Sequence, residues 1–190
     1  MILQNLTTLK KLLKLNKKHK LFWENDMLKL KPFKKGDAAF VAELLRDEKT
    51  YALVCGQKYG SYPVKSNDII CYYERLENAR PMTAFLEERA VGHILVSISG
   101  ECALLSSVII DPNERGKGLG KKMLLLALEL AFKSCGAKQI SIGVFEENLG
   151  ALSLYKSLGF KEDKKEERTF LGQPRPYLLL KLKGENNEHL

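Results

Sequence analysis

The tightest constraint on this chain is one turn, Arg115-Gly116-Lys117-Gly118-Leu119-Gly120-Lys121. Before it runs a β-prone stretch, Cys102 to Ile110, closed by Asp111-Pro112, where the proline forbids continuing a ladder. After it, Met123, Leu124, Leu128, Ala131 and Phe132 fall on one helical face, with Lys133 near the helix end and Gly136 placed just past it. A strand that turns through glycines into a helix directs unsatisfied N–H groups and partial positive charge at the turn, and glycine lets an anion reach the backbone without meeting a Cβ. Arg115, Lys117 and Lys121 add charge, so the turn reads as a phosphate site. Two familiar phosphate turns do not fit. G-x-x-x-x-G-K-[ST] fails because Arg115 stands five residues before Gly120 and Lys122 replaces the hydroxyl residue. G-x-G-x-x-G fails because its third glycine would fall on Lys121 or Met123.

The rest of the chain supplies a mixed sheet and its cover. Asp26 to Phe33 reads as a strand, Asp37 as a cap for a helix over Ala38 to Arg46, Cys55 to Lys65 as a loop, and Ser66 as the cap of a helix through Ile69, Ile70, Tyr73 and Leu76. Met82 to Leu86 and Val91 to Ile98 form a hairpin. Further on come a strand over Gln139 to Val144, a helix over Leu149 to Ser157 stopped by Gly159, and strands over Arg168 to Leu171 and Tyr177 to Leu182. The expected fold class is a mixed α/β (α+β) domain with both sheet faces covered.

At 190 residues the chain suits one domain, and 45% hydrophobic content rules out disorder as its main state. The net charge of +8 is entirely N-terminal: residues 1–35 hold ten lysines against Glu24 and Asp26, and the remainder is balanced. A neutral body argues against a nucleic-acid-binding fold. Residues 1–22 are expected to form a basic amphipathic leader, residues 23–184 the domain and residues 185–190 a polar tail. Leu3, Leu6, Leu9 and Leu13 make a stripe better suited to docking on the domain or across a homodimer than to an RNA or an anionic surface. The longest apolar stretch, Met123 to Phe132, is interrupted by Glu129 and is shorter than the ~20 residues of a membrane span. Cys55, Cys71, Cys102 and Cys135 show neither zinc nor disulfide spacing, which favours no metal and a cytoplasmic home.

Arg115, Gly118 and Gly120 satisfy [RQ]-x-x-G-x-[GA] directly after a strand ending in Asp-Pro, and Val144-Phe145-Glu146-Glu147-Asn148 is followed by Ala151, Tyr155, Gly159 and Phe160. In these two linked motifs the sequence resembles the GNAT superfamily of N-acetyltransferases, strongly over residues 82–160 and elsewhere in element order. The resemblance implies a splayed sheet with acetyl-CoA as co-substrate wedged between the strands ending at Ile110 and Val144. Backbone groups of Val108, Ile109 and Ile110 would pair with the pantetheine arm and acetyl group. The amides of Gly116, Lys117, Gly118, Leu119, Gly120 and Lys121 would take the pyrophosphate. Asn148 would contact the cofactor arm or serve as a plain helix cap.

Tyr155 lies seven residues after Asn148, two turns on, and so on nearly the same helix face. A phenol with pKa near 10 is protonated at neutral pH and can donate to a departing thiolate, which makes Tyr155 the general acid. A base is harder to find. A lysine acceptor at pH 7 costs about 4.6 kcal/mol to deprotonate and an α-amino group about 1.4. By the resemblance, some relatives use a glutamate of the second signature, where this chain has Gly143, or a histidine on the strand that here offers only Ser106 and Ser107. His93 reads as a hydrogen-bonded strand histidine and Glu146 and Glu147 as a solvated pair, so no base is assigned. The leading expectation is acetyl transfer to a primary amine of a small molecule or a protein N-terminus through a ternary complex. A non-catalytic acyl-CoA-binding sensor or interaction module is the alternative, which Tyr155 disfavours.

Overall fold

The computed structural model describes residues 28–184. The leader and the tail both lie outside them. The described chain runs β1 (Leu28–Pro32), a 3-10 turn, α1 (Ala38–Leu44), α2 (Glu48–Cys55), α3 (Ser66–Glu74), β2 (Ala79–Leu86), β3 (Arg89–Ser99), β4 (Cys102–Ile110), α4 (Leu119–Glu129), β5 (Gln139–Phe145), α5 (Leu149–Ser157), β6 (Lys161–Phe170) and β7 (Gln173–Lys183). The strands form one seven-stranded sheet in the order β1-β2-β3-β4-β5-β7-β6, antiparallel throughout except for the parallel β4–β5 pair. Residues alternate between its two faces. One face carries Ile94, Val96, Leu105, Ile140, Ile142 and Leu180 against Met123, Leu124 and Leu128 of α4, all nearly inaccessible to solvent. Each such side chain contributes about 1.5–3 kcal/mol of hydrophobic stabilisation. The other face carries Leu95 and Ile109 against α1, α2 and α3. The mixed, two-sided sheet is the expected fold, and no described helix is long and apolar enough to cross a membrane.

The parallel pair is what shapes the site. β4 and β5 are in register only from Cys102↔Gln139 to Leu105↔Ile142. Beyond that point β5 stays with β7 as far as Phe145↔Tyr177, and β4 stays with β3 as far as Ile110↔Gly92. The separation begins at a bulge: three steps of β4, from Ser106 to Ile109, face two of β3, from Leu95 to His93, and Ser107 takes φ +51. An extra residue bends its strand and raises its twist, so β4 leaves β5 there and a wedge opens.

Local expectations are corrected in four places. A helix over Glu48–Cys55, not anticipated, is capped by Asp47, whose side chain accepts from the Thr50 amide at 2.7 Å, and ends on Gly56 at φ +56. Ser66 is the first helical residue of α3 and not its cap; Asp68 accepts from the Lys65 amide at 2.8 Å. Asp37 turns back to accept from the Lys34 amide and the Thr83 hydroxyl. The helix after the glycine turn changes to a π-helical turn over Leu130–Ser134 before Gly136, at φ +69.

Candidate active site

The glycine turn stands at the mouth of the wedge. Gly116 and Gly118 adopt φ +78 and +77, and a Cβ on either would meet nothing within 4 Å, so backbone conformation and not crowding selects glycine there. A Cβ on Gly120 would meet Leu154 and Ile110 at ordinary contact distance. None of the backbone N–H groups of residues 116–121 has an acceptor among the described residues. Six unsatisfied donors at the start of an eleven-residue helix make an anion cradle. Its base is fixed by Glu114, a buried carboxylate that accepts from Lys117 Nζ at 3.0 Å and Arg89 Nη2 at 2.7 Å. These two partners, Lys117 first, hold the Glu114 carboxyl below its ordinary pKa. The Lys117 ammonium therefore anchors the turn, while Lys121 has no ion-pair partner among the described residues. Arg115 Nε donates to the Ile110 carbonyl at 3.3 Å.

Along the wedge, Asp111 donates its amide to Val91 at 2.9 Å. The alternation of an antiparallel strand then turns the backbone groups of Ile109 to β3 and those of Val108 and Ile110 to the gap. Across the gap, Asn148 caps α5, its Oδ1 accepting from the Ala151 amide at 3.2 Å, and its side-chain nitrogen has no partner among the described residues. Tyr155, two turns on, is buried beside Phe160 with ring centroids 6.2 Å apart, and its hydroxyl has no hydrogen-bond partner among the described residues. Burial, reinforced by nearby Tyr177, pushes this phenol well above its ordinary pKa. It stays protonated across the neutral range and can serve as a proton donor.

The opposite side of the wedge joins Ser106, Ser107 and His93 to Lys58, Tyr59 and Tyr73, for which no motif in the sequence gives a role. Lys58, in the loop after α2, places Nζ 3.1 Å from Ser106 Oγ and 3.4 Å from Ser107 Oγ, at the residues just past the last β4–β5 pair. A buried chain continues inward: Tyr59 Oη donates to Ser107 Oγ at 3.4 Å, Tyr59 and Tyr73 share a hydrogen bond between hydroxyls, and Tyr73 Oη lies 2.6 Å from His93 Nε2. Burial holds His93 down to a pKa of about 3, so it is a neutral structural residue, as its strand position suggested, and cannot take a proton from a substrate. On β7, Tyr177 sits over Gly143, stacked edge-on against Phe145 at 5.0 Å and under the Arg168 guanidinium at 3.9 Å. The one legible signal for it was Gly143 itself, since a glycine inside a strand marks the close approach of another group. Among the described residues no three His, Cys, Asp or Glu side chains are grouped to hold a metal ion.

The model of the acetyltransferase (GNAT) family matches residues 41–160. A peptidyl-lysine N-acetyltransferase, YjaB of Salmonella typhimurium, is 35% identical over 94 residues, half of this chain and 58% of that protein. The spermine/spermidine N(1)-acetyltransferase of Bacillus subtilis is 39% identical over 57 residues, 30% of this chain and 38% of its own length. The chain thus spans under two thirds of these relatives. Among solved structures, spermidine N-acetyltransferase from Vibrio cholerae in complex with CoA and spermine superposes with a TM-score of 0.72 over 82% of this chain and 95% of that one, at 19% identity. That likeness establishes the shared fold.

Proposed function

Because the chain belongs to the acetyltransferase (GNAT) family, we propose that it transfers the acetyl group of acetyl-CoA to a primary amine, of a small molecule or of a protein N-terminus, within a ternary complex. The observation that carries this reading is the cradle of six unsatisfied N–H groups at the mouth of a wedge in the sheet. The cradle suits a pyrophosphate, and the gap-facing groups of Val108 and Ile110 suit the amides of a pantetheine arm. Arg115, Gly116, Lys117, Gly118, Leu119, Gly120 and Lys121 bind the phosphates in this reading, Lys117 through its amide. Asn148 contributes its side-chain nitrogen to the arm.

Tyr155 supplies the acid. As the amine nitrogen forms its bond to the carbonyl carbon, the C–S bond breaks and negative charge gathers on sulfur, and the hydroxyl donates to it. The absence of another hydrogen-bond partner on that hydroxyl within the described residues keeps it available. The relatives named for peptidyl-lysine and polyamine acetylation support an amine acceptor. Release of free CoA from acetyl-CoA, measured over a panel of amino acids, polyamines, lysine peptides and free peptide N-termini, tests the reading. Turnover with one acceptor class is the expected result, and tight acetyl-CoA binding without turnover of any amine would leave an acyl-CoA-binding module instead.

A further inference from the structure

We propose that Lys58 is the general base of this site, its neutral Nζ taking a proton from the acceptor's ammonium group at the floor of the wedge. This rests on the amine acetyltransferase reading above and supplies the base that neither signature contains.

Position comes first. Lys58 Nζ reaches Ser106 and Ser107 at the place where β4 parts from β5, on the face opposite α4 and α5. Tyr155 stands on α5, across the gap. Lys58 thus stands where β4 and β5 part, and an acceptor amine placed there would approach a thioester held near Tyr155.

The surroundings favour the free amine. No carboxylate forms an ion pair with Lys58 among the described residues. The groups that face it are Cys55 of α2, Tyr59 of its own loop, Ser106 and Ser107 of β4 and, further off, Arg168 of β6 and His93 of β3, with Tyr73 of α3 linking Tyr59 to His93. Burial raises the Cys55 thiol to about 11 and lifts Tyr59 and Tyr73 above the ordinary phenol range, so none of these is negative at neutral pH. The charged neighbour that remains, Arg168, is itself paired with Glu166 at 2.7 Å and adds a smaller repulsion toward an ammonium.

The hydrogen bonds point the same way. Lys58 Nζ donates to Ser106 Oγ at 3.1 Å and to Ser107 Oγ at 3.4 Å, and neither hydroxyl carries a charge that would hold an ammonium. Burial, with Arg168 adding to it, accordingly lowers the Lys58 pKa from the usual lysine range.

The proton balance closes. In becoming an amide nitrogen, an acceptor ammonium sheds two protons. Lys58 takes the first and passes it to solvent. The second restores, through solvent, the proton that Tyr155 gives to the thiolate.

The test uses the full chain. Its lysines are reductively methylated with 13C-formaldehyde and the methyl signals followed against pH, the Lys58 signal being identified by its loss in Lys58→Arg. A Lys58 signal titrating at least one pH unit below the other lysines is expected; titration with the bulk would overturn the assignment. On the accepted amine, both Lys58→Met and Lys58→Arg should lower kcat by about 10²-fold with KM within threefold and unchanged acetyl-CoA affinity. Arginine keeps the charge and cannot act as a base. If Lys58→Arg retains activity within a factor of two, Lys58 is a fixed positive charge and the inference fails while the acetyltransferase reading stands. If the unaltered chain releases no CoA with any amine, the reading itself fails, independently of how Lys58 titrates.

Discussion

The phenol of Tyr177 fills the space that a side chain at residue 143 would need: a Cβ built on Gly143 would strike its hydroxyl and lie 2.6 Å from its ring Cε1. The glutamate that the second signature carries in some relatives therefore has no room in this chain. Gly143→Ala should lower stability by about 1–3 kcal/mol, or several degrees in melting temperature, because the ring must leave its contacts with Phe145 and Arg168. Adding Tyr177→Ser should recover part of the loss. A Gly143→Ala variant that melts with the unaltered chain would show that the ring moves aside freely.

The same pair shows what was legible in the sequence. The glycine turn, strand β4 and helix α5 could be read to the residue because each has its own punctuation, Asp111-Pro112, Asn148 and Gly159. β6 could not: Lys161 to Arg168 is charged at every position, as suits an edge strand that must refuse further partners, and its pairing with β7 is what makes it a strand. α2 was missed although Asp47 and Thr50 have cap spacing, since Tyr51 and Ala52 reveal their buried face only after folding. The glycine turn rests on local backbone shape and so left a motif. Lys58, Tyr59, Tyr73, Ser107 and His93 come together from α3, the loop before it, β3 and β4, and no spacing announces them.

Tyr155→Phe keeps the ring against Phe160 and removes only the hydroxyl. Turnover should fall by about 10²-fold with little change in acetyl-CoA affinity, because the donor matters as charge develops on sulfur. Steady-state kinetics on the accepted amine, paired with calorimetry, check it. A loss below twofold would make Tyr155 a packing residue.

His93 gives stability an acid limb. Its folded pKa of about 3 lies below the unfolded value near 6.5, so between those limits the unfolded chain binds the extra proton and stability falls as pH is lowered. Urea midpoints measured from pH 7.5 to 5 should decline for the unaltered chain and decline less for His93→Gln. Parallel curves would mean that His93 does not titrate on unfolding.

Glu114 gives a second pH dependence at lower pH. Its carboxyl is held below the ordinary range by Lys117 and Arg89, so its contribution is present above about pH 4.3 and is lost as pH drops through the depressed folded value. Glu114→Gln should also loosen the turn at neutral pH, seen as faster exchange of the hydrogen-bonded amides that flank it, those of residue 114 to the Asp111 carbonyl and of Lys122 to the Gly118 carbonyl. Unchanged exchange would show that the turn is held without the ion pairs.

If the turn at residues 115–121 holds the phosphates of acetyl-CoA, calorimetry of acetyl-CoA against the full chain and its Arg115→Ala, Gly118→Val double variant will register it. Valine at φ +77 strains the backbone and covers the amides, and loss of Arg115 removes charge. The unaltered chain should bind and the variant should bind at least tenfold more weakly, with near-UV circular dichroism showing that it remains folded. Equal affinity in the folded variant would contradict it.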